Sequence, residues 1–142
     1  MARRSAKAVW RGNLKNGTGT MELGSGAFRG EYSYRSRFGS GAGTNPEELI
    51  GAAHAGCFSM ALAAGLEHAG YSPESIETSA KVTIERVQDG FAITRIELDT
   101  RGKVPDIEKE KFLEQAEIAK RNCPVSKALA AVPVNLKAKL IS

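Results

Sequence analysis

The sequence predicts an α+β fold in which antiparallel and mixed sheets wrap one long, apolar, buried central helix, residues 1–142 forming a single domain. Three observations predict it. The stretch 44–70, TNPEELIGAAHAGCFSMALAAGLEHAG, has no Asp, Glu, Lys or Arg from Leu49 to Leu66. Segments on both sides of it alternate apolar and polar side chains with the two-residue period of strands. Asp89-Gly90, between two such segments, is a hairpin signature.

In chain order, residues 6–11, 19–23 and 28–38 read as extended, separated by turn clusters at Asn16-Gly17 and Gly24-Ser25-Gly26, as in an antiparallel meander. The third segment alternates through Glu31-Tyr32-Ser33-Tyr34-Arg35-Ser36-Arg37-Phe38, which puts Arg35 and Arg37 on one face of a strand. The glycine-rich loop 39–43 then feeds the helix. It lacks the Lys-Ser/Thr pair of a phosphate cradle, and Glu47 and Glu48 repel an anion from the helix start, so nucleotide binding is excluded. Asn45 as cap, Pro46 in the first turn and Glu48 at the capping-box position start the helix; Glu67, His68 and Gly70 stop it. Being apolar all round, it is expected to be buried, with Phe58 and Met60 in the core.

After the helix, residues 76–87 and 91–100 alternate as two strands of the hairpin. Residues 106–122 carry Ile107, Phe112, Leu113, Ala116 and Ala119 at helical spacing, opened by Pro105-Asp106. Pro124 restarts a short helix and leaves Cys123 at its cap; residues 132–141 alternate as a last strand.

Composition narrows the function classes. Of 20 Lys and Arg, five fall in the first 21 residues, which hold no acid; the remainder is nearly neutral, 15 basic against 16 acidic. The basic excess is an N-terminal segment and not a basic body, so no nucleic-acid partner is expected. Small residues contribute little transfer energy and no basic anchors flank the apolar run, so no membrane partner is expected either. Arg3, Arg4, Lys7 and Arg11 interrupt any hydrophobic leader, which points to the cytoplasm. There, two cysteines are expected to rest as thiols, which raises a catalytic or redox role.

The two thiols differ in what their surroundings do to them. Inside an apolar helix, Cys57 is held protonated by desolvation and needs a cation to react: His54, one turn earlier, or an arginine brought from another segment. Cys123, at a helix start, faces amides that favour a thiolate. Three blander or rival readings stand beside a redox one. Both thiols merely pack, in a dimeric binding domain; His54, Cys57 and Cys123 hold zinc, though without closely spaced ligand couples; or Cys57 and His54 form a hydrolytic dyad.

The run 43–62, GTNPEELIGAAHAGCFSMAL, with Gly90-Phe91-Ala92-Ile93-Thr94 and Asn122-Cys123-Pro124-Val125-Ser126, resembles the OsmC/Ohr family of thiol-dependent organic hydroperoxide reductases, its OsmC branch most closely. The resemblance implies a peroxidase of oxidative and osmotic stress defence that needs no cofactor and no metal. It puts Cys57 at the peroxidatic position, Cys123 at the resolving position, and Arg37 and Glu47 at the positions of the family's cation and its supporting carboxylate. It also implies a hydroperoxide substrate and an external dithiol reductant, a lipoylated protein being one form of it. Arg37 is preferred to Arg35 by family position alone. Phe38, Phe58, Met60 and the alanines give the thiol apolar surroundings suited to an alkyl or lipid hydroperoxide.

Helix geometry adds a further expectation. Glu47 and Cys57 lie ten residues apart, a rise of about 15 Å on one helix. If both serve one site, either the helix breaks, with Gly51 its weakest point, or Glu47 comes from a second chain. Two central helices packed antiparallel in an intertwined homodimer meet that need.

Overall fold

The computed structural model describes residues 1–142, which form two compact units, 1–49 and 50–142. The first is the expected meander. Strands β1 (Ala6–Arg11), β2 (Thr18–Leu23) and β3 (Arg29–Tyr32) pair antiparallel in the order β1-β2-β3. Trp10 lies opposite Gly19, and its ring packs on Tyr32 with centroids 5.3 Å apart. Gly19 is what permits this contact: a Cβ there would come within 2.6 Å of both rings.

The third strand is shorter than its alternation suggests, because residues 34–38 are a helical turn, α1 (Tyr34–Phe38). Ser33 ends the extended run by capping that turn. Its hydroxyl accepts from the Ser36 amide at 3.1 Å, while the Ser36 hydroxyl accepts from the Ser33 amide at 2.8 Å. Two reciprocal bonds settle a five-residue segment whose period-2 pattern is weak evidence for a strand.

Helix α2 (Pro46–His68) begins in the first unit and continues into the second without a break at Gly51. Asn45 caps it, accepting the Glu48 amide at 2.8 Å. The capping box stays half made, since the Glu48 carboxylate takes the Thr44 hydroxyl at 2.8 Å instead.

The second unit is built on a three-stranded sheet ordered β4-β5-β6. β4 (Ser75–Val87) and β5 (Gly90–Lys103) form the expected hairpin, with Gln88-Asp89 as the loop and Gly90 already in the strand at φ 129°. Thr83 pairs with Arg95 and Ile84 with Ile93, so Thr94 is the extra residue of a bulge. β6 (Val134–Ile141) runs parallel to β5, reached through α3 (Lys109–Asn122) and α4 (Pro124–Ala128). Helix α3 starts three residues later than its sequence signal, since Asp106 sits at φ 66°, a left-handed conformation that a helix cannot include.

The core of this unit joins Phe58, Leu62 and Leu66 of α2 to Ile96 and Leu98 of β5 and Phe112, Ala116 and Ala119 of α3. Each of the larger side chains contributes about 2 kcal/mol by leaving water. The expectation of a helix buried all round needs correction. Within one chain, α2 buries one stripe, Gly51, His54, Phe58, Leu62 and Leu66, and leaves Ala52, Ala53, Gly56, Met60 and Ala64 exposed. Only 28% of its most apolar window is buried, although it is long and apolar enough to cross a membrane. Met60, expected in the core, is 76% exposed.

Candidate active site

The site residues fall into two constellations, one in each unit. In the first, Arg37 of α1 grips Glu47 of α2 with two parallel bonds, Nε to Oε1 at 3.1 Å and Nη2 to Oε2 at 2.9 Å. Glu47 is 5% exposed, and the Arg37 guanidinium also lies over the Phe38 ring at 5.2 Å. A fork-on-fork pair of this kind fixes orientation as well as charge. The turn that carries Arg37 is itself tied down: the Ser36 hydroxyl donates to the Thr44 carbonyl at 2.7 Å, and Asn45 Nδ2 donates to the Ser36 carbonyl at 3.0 Å.

Arg35 is not on the same face as Arg37, correcting the strand reading. Two residues of a helical turn point in nearly opposite directions, and Arg35 is exposed, its carbonyl serving the amides of Gly39 and Gly41. Beside Arg37 opens a cavity of about 210 Å³ lined chiefly by Trp10, Leu14, Tyr32, Tyr34 and Phe38.

In the second unit, Cys57 of α2 and Cys123, the residue between α3 and α4, bring their sulfurs to 2.8 Å in a hydrogen bond between free thiols. That is less than an ångström beyond a covalent S–S bond of about 2.05 Å, so forming the disulfide demands no large movement. Cys123 is wholly buried; Cys57 is partly exposed.

The pair titrates as a unit, with the two thiols displaced in opposite directions. Burial pushes Cys57 up, and its hydrogen bond with Cys123 pushes it further, against a smaller opposing effect of the Val125 amide. Burial also acts upward on Cys123. There, however, the hydrogen bond with Cys57, the Ser126 amide and hydroxyl, and the Val125 amide outweigh it, and the thiol ends below its ordinary value. Cys123 makes no regular side-chain capping bond to α4, so these amides act as nearby dipoles. Every group acting on Cys57 belongs to residues 50–142, and none is a cation.

His54 neither pairs with Cys57 nor joins a metal-ligand cluster. Its Nε2 lies 2.7 Å from Ser126 Oγ, its Nδ1 is buried without a partner, and burial holds the ring below its ordinary pKa. No three His, Cys, Asp or Glu side chains gather as ligands. Sequence reasoning missed the contact of Ser126 with His54 across 72 residues; the one available signal was Ser126 standing three positions after Cys123.

The fold agrees with that of known proteins the chain resembles. A family profile described as OsmC-like protein matches residues 39–137. Peroxiredoxin OsmC of Escherichia coli K12 is 46% identical over 129 residues, 90% of each chain. The organic hydroperoxide resistance protein OhrB of Bacillus subtilis shares the fold at a TM-score of 0.72 and 26% identity, covering 96% of this chain and 98% of that one. An OsmC-like protein of Mycoplasma pneumoniae, only 14% identical, still superimposes at 0.78 over 99% of both chains, which speaks for the fold alone. The profile match across both units, with the identity to the Escherichia coli protein over nine-tenths of the sequence, makes this chain a member of the OsmC-like family.

Proposed function

We propose that this protein is a cysteine peroxidase of the cytoplasm that reduces organic hydroperoxides to alcohols through an intramolecular disulfide. The observation that carries the reading is the pair of free thiols at 2.8 Å, one partly exposed and one buried. In the scheme, the Cys57 thiolate attacks the distal oxygen of the peroxide. The O–O bond breaks, the alkoxide leaves with its electron pair and takes a proton, and Cys57 becomes a sulfenic acid. Cys123 then attacks that sulfur; the S–S bond forms while hydroxide leaves and is protonated to water. An external dithiol, lipoylated protein being one class, reduces the disulfide and restores both thiols.

What one chain lacks is a cation at Cys57, whose own surroundings hold it protonated. We assign that role to Arg37, steadied by Glu47 and delivered by a second protomer. Two features support a homodimer with sites shared between chains. Helix α2 is unbroken, so Glu47 stands about 15 Å along it from Cys57. The helix also leaves a stripe of small apolar residues, Ala52, Ala53 and Gly56, uncovered within one chain. A two-fold axis crossing the helix pair near Ala52, halfway between residues 47 and 57, sets each Glu47 beside the other chain's Cys57. The aromatic cavity next to Arg37 then receives the apolar part of an alkyl hydroperoxide.

The test is turnover of cumene hydroperoxide with dithiothreitol as reductant. The wild-type protein consumes peroxide and Cys57→Ser does not, while Cys123→Ser accumulates a sulfenic acid that dimedone traps. Peroxide left intact with both thiols unreacted contradicts the reading and favours a binding domain.

A further inference from the structure

His54 and Ser126 have no part in the scheme above, yet they are bonded to each other, and Ser126 follows Cys123 by three residues, near enough to act on that sulfur. The His54 ring is 0% exposed, one turn before Cys57 on α2, with Nε2 2.7 Å from Ser126 Oγ. Ser126 is the third residue of α4, whose start Cys123 occupies, and its hydroxyl and amide both act to favour the Cys123 thiolate. A hydroxyl has one proton to give. If Ser126 gave it to the ring, none would be left for the sulfur, and Nδ1 would be a buried N–H without an acceptor. With the proton on Nε2, the ring donates to Ser126, the Ser126 hydroxyl keeps its own proton free for Cys123 Sγ, and the partnerless Nδ1 is only an unused lone pair. Orphaned buried donors are the rarer fault, so the second arrangement is favoured.

We propose that His54 and Ser126 are positioning residues for the reductive half of the cycle: the ring N–H turns the Ser126 hydroxyl proton toward Cys123 Sγ, which makes Cys123 the sulfur that leaves as a thiolate. This rests on the disulfide of the preceding reading. Access selects the same direction, since Cys123 is buried and Cys57 partly exposed. A thiolate of the external dithiol attacks Cys57 Sγ; a new S–S bond forms there as the Cys57–Cys123 bond breaks, its electron pair going to Cys123. The reductant's second thiol then attacks the reductant sulfur of the mixed disulfide, releases Cys57 with its pair and closes the reductant's own disulfide. The two protons lost by the dithiol end on the protein thiols. In this arrangement no proton crosses from His54; the ring orients and Ser126 stabilises.

The experiment uses full-length protein oxidised with diamide, so that the disulfide forms without any peroxide, and follows its reduction by dithiothreitol between pH 6 and 9. Ser126→Ala and His54→Leu are expected to slow reduction about tenfold, as a poorer leaving sulfur does, with Ser126→Thr restoring the wild-type rate. In a Cys57→Ser background, where Cys123 is the one remaining thiol, the pH midpoint of its alkylation is expected to rise on Ser126→Ala and to return with Ser126→Thr. Wild-type reduction rates and an unmoved midpoint in Ser126→Ala, which removes a single oxygen, overturn the proposal, as does a Ser126→Thr variant as slow as Ser126→Ala. If the diamide-formed disulfide shows the expected pattern while peroxide is not consumed, the peroxidase reading fails and this one stands.

Discussion

Cys57 sits on an apolar helix whose burial keeps its proton on, while the surroundings of Cys123 draw the anion to that sulfur. In the proposed scheme, activation of Cys57 depends on a positive charge, and Arg37, held bidentately by Glu47, is the residue assigned to supply it. Arg37→Ala is expected to lower kcat/KM for cumene hydroperoxide by roughly 10²–10³-fold, the usual cost of removing a preorganised charge partner. Arg35→Ala should stay close to wild type; equal losses in both variants would contradict the assignment. The sequence alone left the two arginines undivided, because the alternation read as a strand put them on one face. A Ser33–Ser36 capping box, a local bond that hydrophobic period does not report, turned them apart.

His54 carries a second prediction at this scale. Its pKa is depressed by burial, so as pH falls below the ordinary histidine value of about 6.5 the unfolded chain binds a proton that the folded chain refuses. Stability rises with pH through that window and falls on acidification. His54→Leu should flatten this part of a stability-against-pH curve measured by urea unfolding; an unchanged slope would show the ring is not the group responsible.

At the scale of elements, α2 explains both what was legible and what was not. Its cap at Asn45, its apolar run and the burial of Phe58 agree with the expectation from residue types. Which stripe is covered does not, because a helix apolar all round has no moment to orient it. Met60 was misplaced for that reason; it lies exposed beside Ala53 and Gly56, on the face that the proposed dimer would cover. A Cβ at Gly56 meets nothing within 4 Å. Gly56→Trp should therefore leave the chain folded, with unchanged far-UV circular dichroism, yet shift sedimentation from dimer to monomer and abolish peroxide turnover. An active Gly56→Trp dimer would remove that face from the interface. The start of α3 shows a different limit: Pro105-Asp106 looked like a helix opening, but the left-handed backbone at Asp106 delays it to Lys109.

For the whole molecule, the proposed dimer leaves neither chain with a complete site. The sequence carried the first hint of this in the ten-position separation of Glu47 and Cys57, and the unbroken α2 keeps it. Mixing Arg37→Ala chains with Cys57→Ser chains tests it by complementation. If sites are shared, each mixed dimer regains one intact site, and equal mixing restores about a quarter of wild-type activity. If each site is built within one chain, the mixture stays inactive.

Beneath all three scales lies one proposed chemical event, the joining of Cys57 to Cys123 at the expense of a peroxide. Its most direct measurement is the mass of the intact protein, with peptide mapping, after one equivalent of cumene hydroperoxide per chain. The account predicts a chain lighter by two hydrogens, carrying one Cys57–Cys123 crosslink that dithiothreitol reverses. Two unmodified thiols, or oxygen added at Cys57 while Cys123 stays free, would contradict it.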